Sequence, residues 1–171
     1  MIRSIFLSLV MVLSPLWPFG ENPTPGAPFI IINKQSNQLA FVDNNQIEQI
    51  YPVATGATNS LTPEGLHTVL IKAVDPYYRK KNIPGGDQNN PLGSRWIGFD
   101  AEDTDGRTYG IHGTNRPDSI GKNVSAGCIR MQNKSVEQLF AKVPIGTKVL
   151  IVTSEKDFWT LAVAYNAIKK S

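Results

Sequence analysis

From Phe29 onward the chain alternates short runs rich in β-branched residues with clusters of Asn, Gly and Pro. That alternation restricts it to a fold built of short strands. PFIIINK, QLAFVD and QIEQIYPVAT read as the first three strands, with Asn44-Asn45 turning the second into the third, so the domain opens on a β-meander. HTVLIKAV, RWIGFD, RTYGIH and TKVLIVT continue the series. Helical spacing occurs twice. Ser135 with Gln138 reads as a capping box ahead of Val136, Leu139, Phe140 and Val143; DFWTLAVAYNAIKK repeats the pattern at Phe158, Leu161, Ala162, Tyr165 and Ile168, with Asp157 as cap. The fold class expected is mostly β, a β-sandwich or partly closed barrel with one or two short helices.

The N-terminus reads differently. Met1 to Arg3 is a short basic start, and Ser4 to Leu13 is an apolar run of signal-peptide length, too short to span a bilayer comfortably. Pro15, Pro18, Pro23, Pro25 and Pro28 then stiffen an extended linker. The expected organisation is an export signal or membrane anchor plus linker over residues 1–28 and one folded domain over 29–171. The expected location is extracytoplasmic, either secreted or held at the membrane by the apolar segment. Gly20 and Ala27 are the only small residues placed for cleavage, and no cysteine follows the apolar run to take a lipid. The net charge of +3 comes from scattered lysines and arginines, with no basic block of the kind nucleic acid requires.

An exported chain that used cysteine structurally would carry it in pairs, yet Cys128 is the only one. It leaves two readings open, an inert buried thiol or a reactive one. Cys128 lies sixteen residues after His112, one of two histidines, and GTNRPDSIGKNVS between them is a loop of turn formers whose ends can close at modest entropic cost. A thiol nucleophile needs such a neighbour, because the thiolate is the reactive form and an imidazole can take its proton and later protonate a leaving amine. Gly127 lets the backbone approach a substrate, and the Gly127 and Cys128 amides are candidate oxyanion donors. An extended 128–130 puts Arg130 on the face of the thiol and Ile129 inward. His67 falls in line with Val69 and Ile71 on its strand, which favours packing over chemistry. Two histidines and one cysteine make a poor metal ligand set, and neither metal nor organic cofactor is expected. The segment from Asp75 to Ser94 lacks periodicity and is dense in Gly, Pro and Asn, the mark of a long surface excursion.

YGIHGT, SIG and SAGCIRMQN, with NPLGSRW and VATGATNSLTPEG upstream, resemble the catalytic domain of the L,D-transpeptidases of the YkuD type, in the family's order and over about Phe29 to Thr153. The resemblance implies a β-rich fold that cross-links bacterial peptidoglycan. It implies Cys128 as nucleophile, His112 as proton donor and acceptor, and the Gly113 backbone carbonyl as the group orienting the imidazole. Ser125 and Gly127 match the small residues of the turn before the nucleophile, and Arg130 the arginine two residues past it. Arg130 and Trp96 are expected to bind substrate, with Tyr77 and Tyr78 as further packing surfaces and the 75–94 excursion as a wall of the groove or a lid. Ala126 stands where the family often has histidine; a side chain there is not the base, so activity is expected to survive.

The implied reaction is acyl transfer from a tetrapeptide stem through a thioester on Cys128, releasing D-alanine and joining two third-position residues. Attack by water would make a carboxypeptidase instead. A sortase uses His, Cys and Arg in the same chain order, but with a much wider His–Cys spacing and a Thr-Leu-x-Thr type motif that is missing here. A non-catalytic wall-binding module would have no reason to keep His112, Cys128 and Arg130 together. The expected partners are peptidoglycan stem peptides, with the chain a monomer.

Overall fold

The computed structural model describes residues 24–58 and 60–170; the apolar N-terminal run, Pro15, Pro18 and Pro23 lie outside the described residues. The chain is already tied to the domain at Gly26, whose N–H donates to the Ala167 carbonyl and whose carbonyl accepts from Asn44, both at 3.0 Å.

Strands β1 (Phe29–Asn33), β2 (Gln38–Asp43) and β3 (Gln46–Pro52) form the expected meander. Asn44 and Asn45 have φ of 50° and 60°, the left-handed pair a tight two-residue hairpin needs and asparagine tolerates. The run QIEQIYPVAT is not one strand. Pro52, with no N–H to extend a ladder, ends β3 at the sheet edge, and Thr55–Gly56 (β4) pairs in parallel with Asn123–Ser125 (β8) in a separate small sheet. Between them run β5 (Gly65–Val74), β6 (Arg95–Phe99) and β7 (Tyr109–His112). Then follow β9 (Ile129–Arg130), helix α1 (Asn133–Lys142), β10 (Lys148–Val152) and helix α2 (Phe158–Ala164).

The main sheet has the order β3-β2-β1-β10-β5-β6-β7-β9. Ile30, Leu39 and Tyr51 from one end of it share a single core cluster with Ile97, Ile111 and Ile129 from the other, so the sheet curls around its own inner face as a half-barrel. Helix α1 fills the hollow with Val136 and Leu139, and Val143 just beyond it joins the same cluster. Helix α2 covers the outer face of β1, β2 and β10, where Phe29, Ile31 and Leu150 meet Phe158 and Leu161. Double coverage explains the unbroken apolar run of β1, every residue of which is buried. Each fully buried isoleucine there contributes about 1.5–3 kcal/mol by area. The domain is mostly β, a partly closed barrel with two helices, as expected.

Each helix departs from the sequence reading at one end, α1 at its start and α2 at its finish. No capping box forms at Ser135, because α1 begins at Asn133 with Gln132 in the cap position and no side-chain cap bond. Tertiary bonds fix that start instead: the Asn133 Oδ1 accepts from Thr114 N–H at 3.0 Å and from Ser94 N–H at 3.4 Å. At the other end Lys72 Nζ donates to the Phe140 and Val143 carbonyls, each at 2.6 Å, and lies 4.1 Å from the Phe140 ring centre. Asp157 caps α2 as expected, accepting from Thr160 N–H at 2.7 Å. That helix stops at Ala164, because Asn166 turns left-handed and Ala167 N–H reaches back to the Ala162 carbonyl, a Schellman closure. Tyr165 is consequently exposed, while Ile168 returns to the core.

Candidate active site

The register of three strands builds the site. Trp96 on β6 pairs with His112 on β7, and His112 pairs with Arg130 on β9, so the three side chains form one row across a single face. Their neighbours Ile97, Ile111 and Ile129 point into the core. Cys128 directly precedes β9, and its thiol meets the Thr108 carbonyl just before β7, the Gly110 backbone within it, and the charge of Arg130.

His112 is 5% exposed. Its Nδ1 lies 2.6 Å from the Gly113 carbonyl oxygen, which can only accept; Nδ1 therefore carries the proton and Nε2 keeps its lone pair. The Trp96 indole stacks on the ring at 5.5 Å between centres and 16° between planes. Burial first, with the Arg130 charge adding to it, brings the imidazole pKa down to about 4 against the opposing pull of the Gly113 and Leu92 carbonyls. The imidazole is neutral at pH 7.

Cys128 is partly exposed, and its thiol donates to the Thr108 carbonyl at 3.4 Å. Burial pushes the thiol pKa up, opposed by a backbone bond at Gly110 and the charges of Lys80 and Arg130. The resting pair is thus a thiol and a neutral imidazole rather than an ion pair. The thiol opens on a cleft of about 410 Å³ bounded by Tyr77, Tyr78 and Lys80 of the surface excursion.

The turn before the cysteine is fixed from both sides. Ser125 Oγ accepts from Gly127 N–H at 3.1 Å and donates to the Cys128 carbonyl at 2.6 Å. Thr62 Oγ1 donates to the Gly127 carbonyl at 3.0 Å and accepts from Gly56 N–H at 2.9 Å. Gly127 has φ of +129°, and a Cβ there would stand 2.4 Å from the Leu61 carbonyl oxygen, so no other residue fits. Because its N–H is bound by Ser125, Gly127 does not supply a second free amide, contrary to the sequence reading.

Other expected residues fall unevenly. Trp96 touches the cleft but is 6% exposed; its Nε1 donates to the Gly106 carbonyl at 2.8 Å and its ring covers Gly110, where a Cβ would come within 2.7 Å of the indole. Its main contacts are within the protein, and it holds His112 more than it offers a surface to substrate. Arg130 exchanges backbone bonds with Ala54 at 2.9 Å in both directions. Its side chain lines a second cavity, of about 250 Å³, on the other side of Tyr78 from the thiol cleft. Lys81 and Arg116 line the same cavity, no carboxylate does, and among the described residues none of the three forms an ion pair. His67 is packed as expected, stacked on Phe99 at 5.5 Å with Nε2 3.3 Å from the Pro63 carbonyl oxygen. Among the described residues no three His, Cys, Asp or Glu side chains gather as a metal site would require.

The excursion from Asp75 to Ser94 is braced from within. Asn90 is buried, donates from Nδ2 to the Pro76 and Pro84 carbonyls at 2.8 and 3.0 Å, and accepts from Leu92 N–H at 2.9 Å. That bracing suits a wall rather than a lid. Thr62, Asn90 and Asn133 were not singled out by sequence. Thr62 and Asn133 lie inside the TPEG and RMQN segments, but their partners are distant in the chain.

Comparison with known proteins agrees with this architecture. The model of the L,D-transpeptidase catalytic domain, the YkuD family, matches residues 27–151, and the chain belongs to that family. YqjB of Bacillus subtilis, named as an L,D-transpeptidase, is 55% identical over 168 residues, covering 98% of this chain and 96% of its own. YkuD of the same organism is 43% identical over 122 residues, 71% of this chain and 64% of its own. An L,D-transpeptidase from Mycobacterium tuberculosis shares the fold with a TM-score of 0.60 at 18% identity, over 74% of this chain and 57% of its own. The Enterococcus faecium L,D-transpeptidase, solved as a C442S mutant, gives 0.57 at 19%, over 73% and 49%. The chain thus spans about half the length of these solved structures.

Proposed function

We propose that this protein is a cysteine-nucleophile L,D-transpeptidase acting on peptidoglycan stem peptides outside the cytoplasm. The observation that carries the reading is the state of His112: neutral, with Nδ1 held at 2.6 Å by the Gly113 carbonyl so that Nε2 is the basic nitrogen, on the strand whose neighbour β9 begins directly after Cys128.

His112 Nε2 takes the thiol proton as Cys128 Sγ forms a bond to the carbonyl carbon of the stem's third residue. The carbonyl electron pair moves to oxygen, where the Cys128 N–H is the available amide donor. Collapse breaks the C–N bond, and the imidazolium returns its proton to the departing D-alanine amine, leaving a thioester. The side-chain amine of a second stem then attacks, His112 accepts its proton, and the C–S bond breaks to restore the thiol. A buried imidazolium beside Arg130 is costly. A substrate carboxylate in the cavity of Arg130, Arg116 and Lys81 would offset that cost by neutralising the arginine. No step calls for a metal or organic cofactor. The basic start and apolar run of the N-terminal sequence support the location, and membership of the L,D-transpeptidase family supports the reaction class.

The test is product analysis with a tetrapeptide stem as donor. Release of D-alanine with a cross-linked dimer supports transpeptidation, and release with only tripeptide makes the protein an L,D-carboxypeptidase. Undiminished release by Cys128→Ala removes both.

A further inference from the structure

The cysteine turn is held by a residue outside the catalytic set. Thr62 is fully buried, and its hydroxyl is bonded on both sides: it donates to the Gly127 carbonyl at 3.0 Å and accepts from Gly56 N–H at 2.9 Å. Its own carbonyl accepts from Lys34 Nζ at 3.1 Å, and Lys34 pairs with Glu64 at 2.9 Å, so the end of β1 anchors the threonine. The Gly127 carbonyl and the Cys128 N–H belong to one planar trans peptide and point in opposite directions. Fixing the carbonyl therefore fixes the amide. Ser125 already occupies the preceding N–H, at Gly127, so the orientation of this one peptide decides whether the turn can stabilise an oxyanion.

We propose that Thr62 is a positioning residue for acyl transfer, and that its bond to the Gly127 carbonyl aims the Cys128 N–H at the oxyanion of the tetrahedral intermediate. This rests on the reading of Cys128 as the nucleophile but not on the identity of the natural acyl donor. Freed from Thr62, the peptide can rotate without moving the thiol out of its cleft. The loss falls on reactions that build negative charge on a carbonyl oxygen and spares those that do not.

Two probes separate these cases. Acetyl transfer from the thioester of N-acetylcysteamine passes through an oxyanion, and alkylation by iodoacetamide displaces iodide with none. Thr62→Val is expected to slow acetylation of Cys128 about 10- to 100-fold, approaching the loss seen when an oxyanion donor is removed, while alkylation stays within about twofold of wild type. Thr62→Ser is expected to restore acetylation. If the valine variant does not fold, Thr62→Ala makes the same comparison without setting a methyl against the Gly56 N–H. Equal slowing of both reactions would reduce Thr62 to a structural brace, and no slowing of either would remove the proposal. Because the thioester is not a stem peptide, failure of the wild type on stem peptides alone would count against the proposed function and leave the Thr62 result readable.

Discussion

His112 and Arg130 stand opposite each other on the parallel strands β7 and β9, and the arginine's charge helps burial hold the imidazole uncharged. The site is thus set to begin from neutral partners, and its pH behaviour follows. A base with pKa about 4 is available across the neutral range, so kcat/KM should hold its value from pH 7 down to about pH 5 and fall as pH approaches 4. A descending limb centred near 6.5 would show the imidazole to be unperturbed. Arg130→Gln should move the acid limb upward, toward the ordinary histidine value.

The same burial carries a stability signature. The folded-state pKa of His112 is depressed, so the unfolded chain binds more protons between about pH 4 and 6.5. The contribution is fully present above about 6.5 and is lost as pH falls toward 4, reaching roughly 3 kcal/mol at most. Urea melts at pH 7 and pH 4.5 should show His112→Gln losing less stability than wild type across that interval.

The cavity lined by Arg130, Arg116 and Lys81 should select donors that carry a free carboxylate. Arg116→Gln and Lys81→Gln are expected to raise KM for such a stem, roughly 10-fold each where the charge is in direct contact, and to change it little for the amidated stem. Equal effects on both stems would remove the cavity from substrate recognition.

Asn133 ties the loop after His112 to the start of α1 through Thr114 and Ser94. Asn133→Ala leaves two amides without their acceptor and should cost about 1–3 kcal/mol, with activity falling further than stability because Gly113, the imidazole's partner, adjoins that loop. Thermal melting and turnover, measured together, check both halves.

The strands and the outline of the site were legible because they depend on local pattern. The β-branched runs pointed to β1, β2 and β5 to β7, and the alternation after Cys128 put Ile129 in the core with Arg130 opposite His112. What escaped depends on tertiary partners: Pro52 broke a strand that looked continuous, Asn133 took the helix start from Ser135, and Ser125 claimed the Gly127 amide. Trp96 read as a surface for substrate because its register against His112 and its cover over Gly110 are not written in the local sequence. Ala126 is exposed in the turn before Cys128.

The central claim is that Cys128 carries the acyl group. Intact-protein mass analysis after brief mixing with a tetrapeptide stem tests it most directly. The prediction is an adduct equal to the stem minus D-alanine, mapped to Cys128, formed at neutral pH and not formed by Cys128→Ala. D-Alanine release with no adduct at any mixing time, or an adduct that persists in Cys128→Ala, would contradict it.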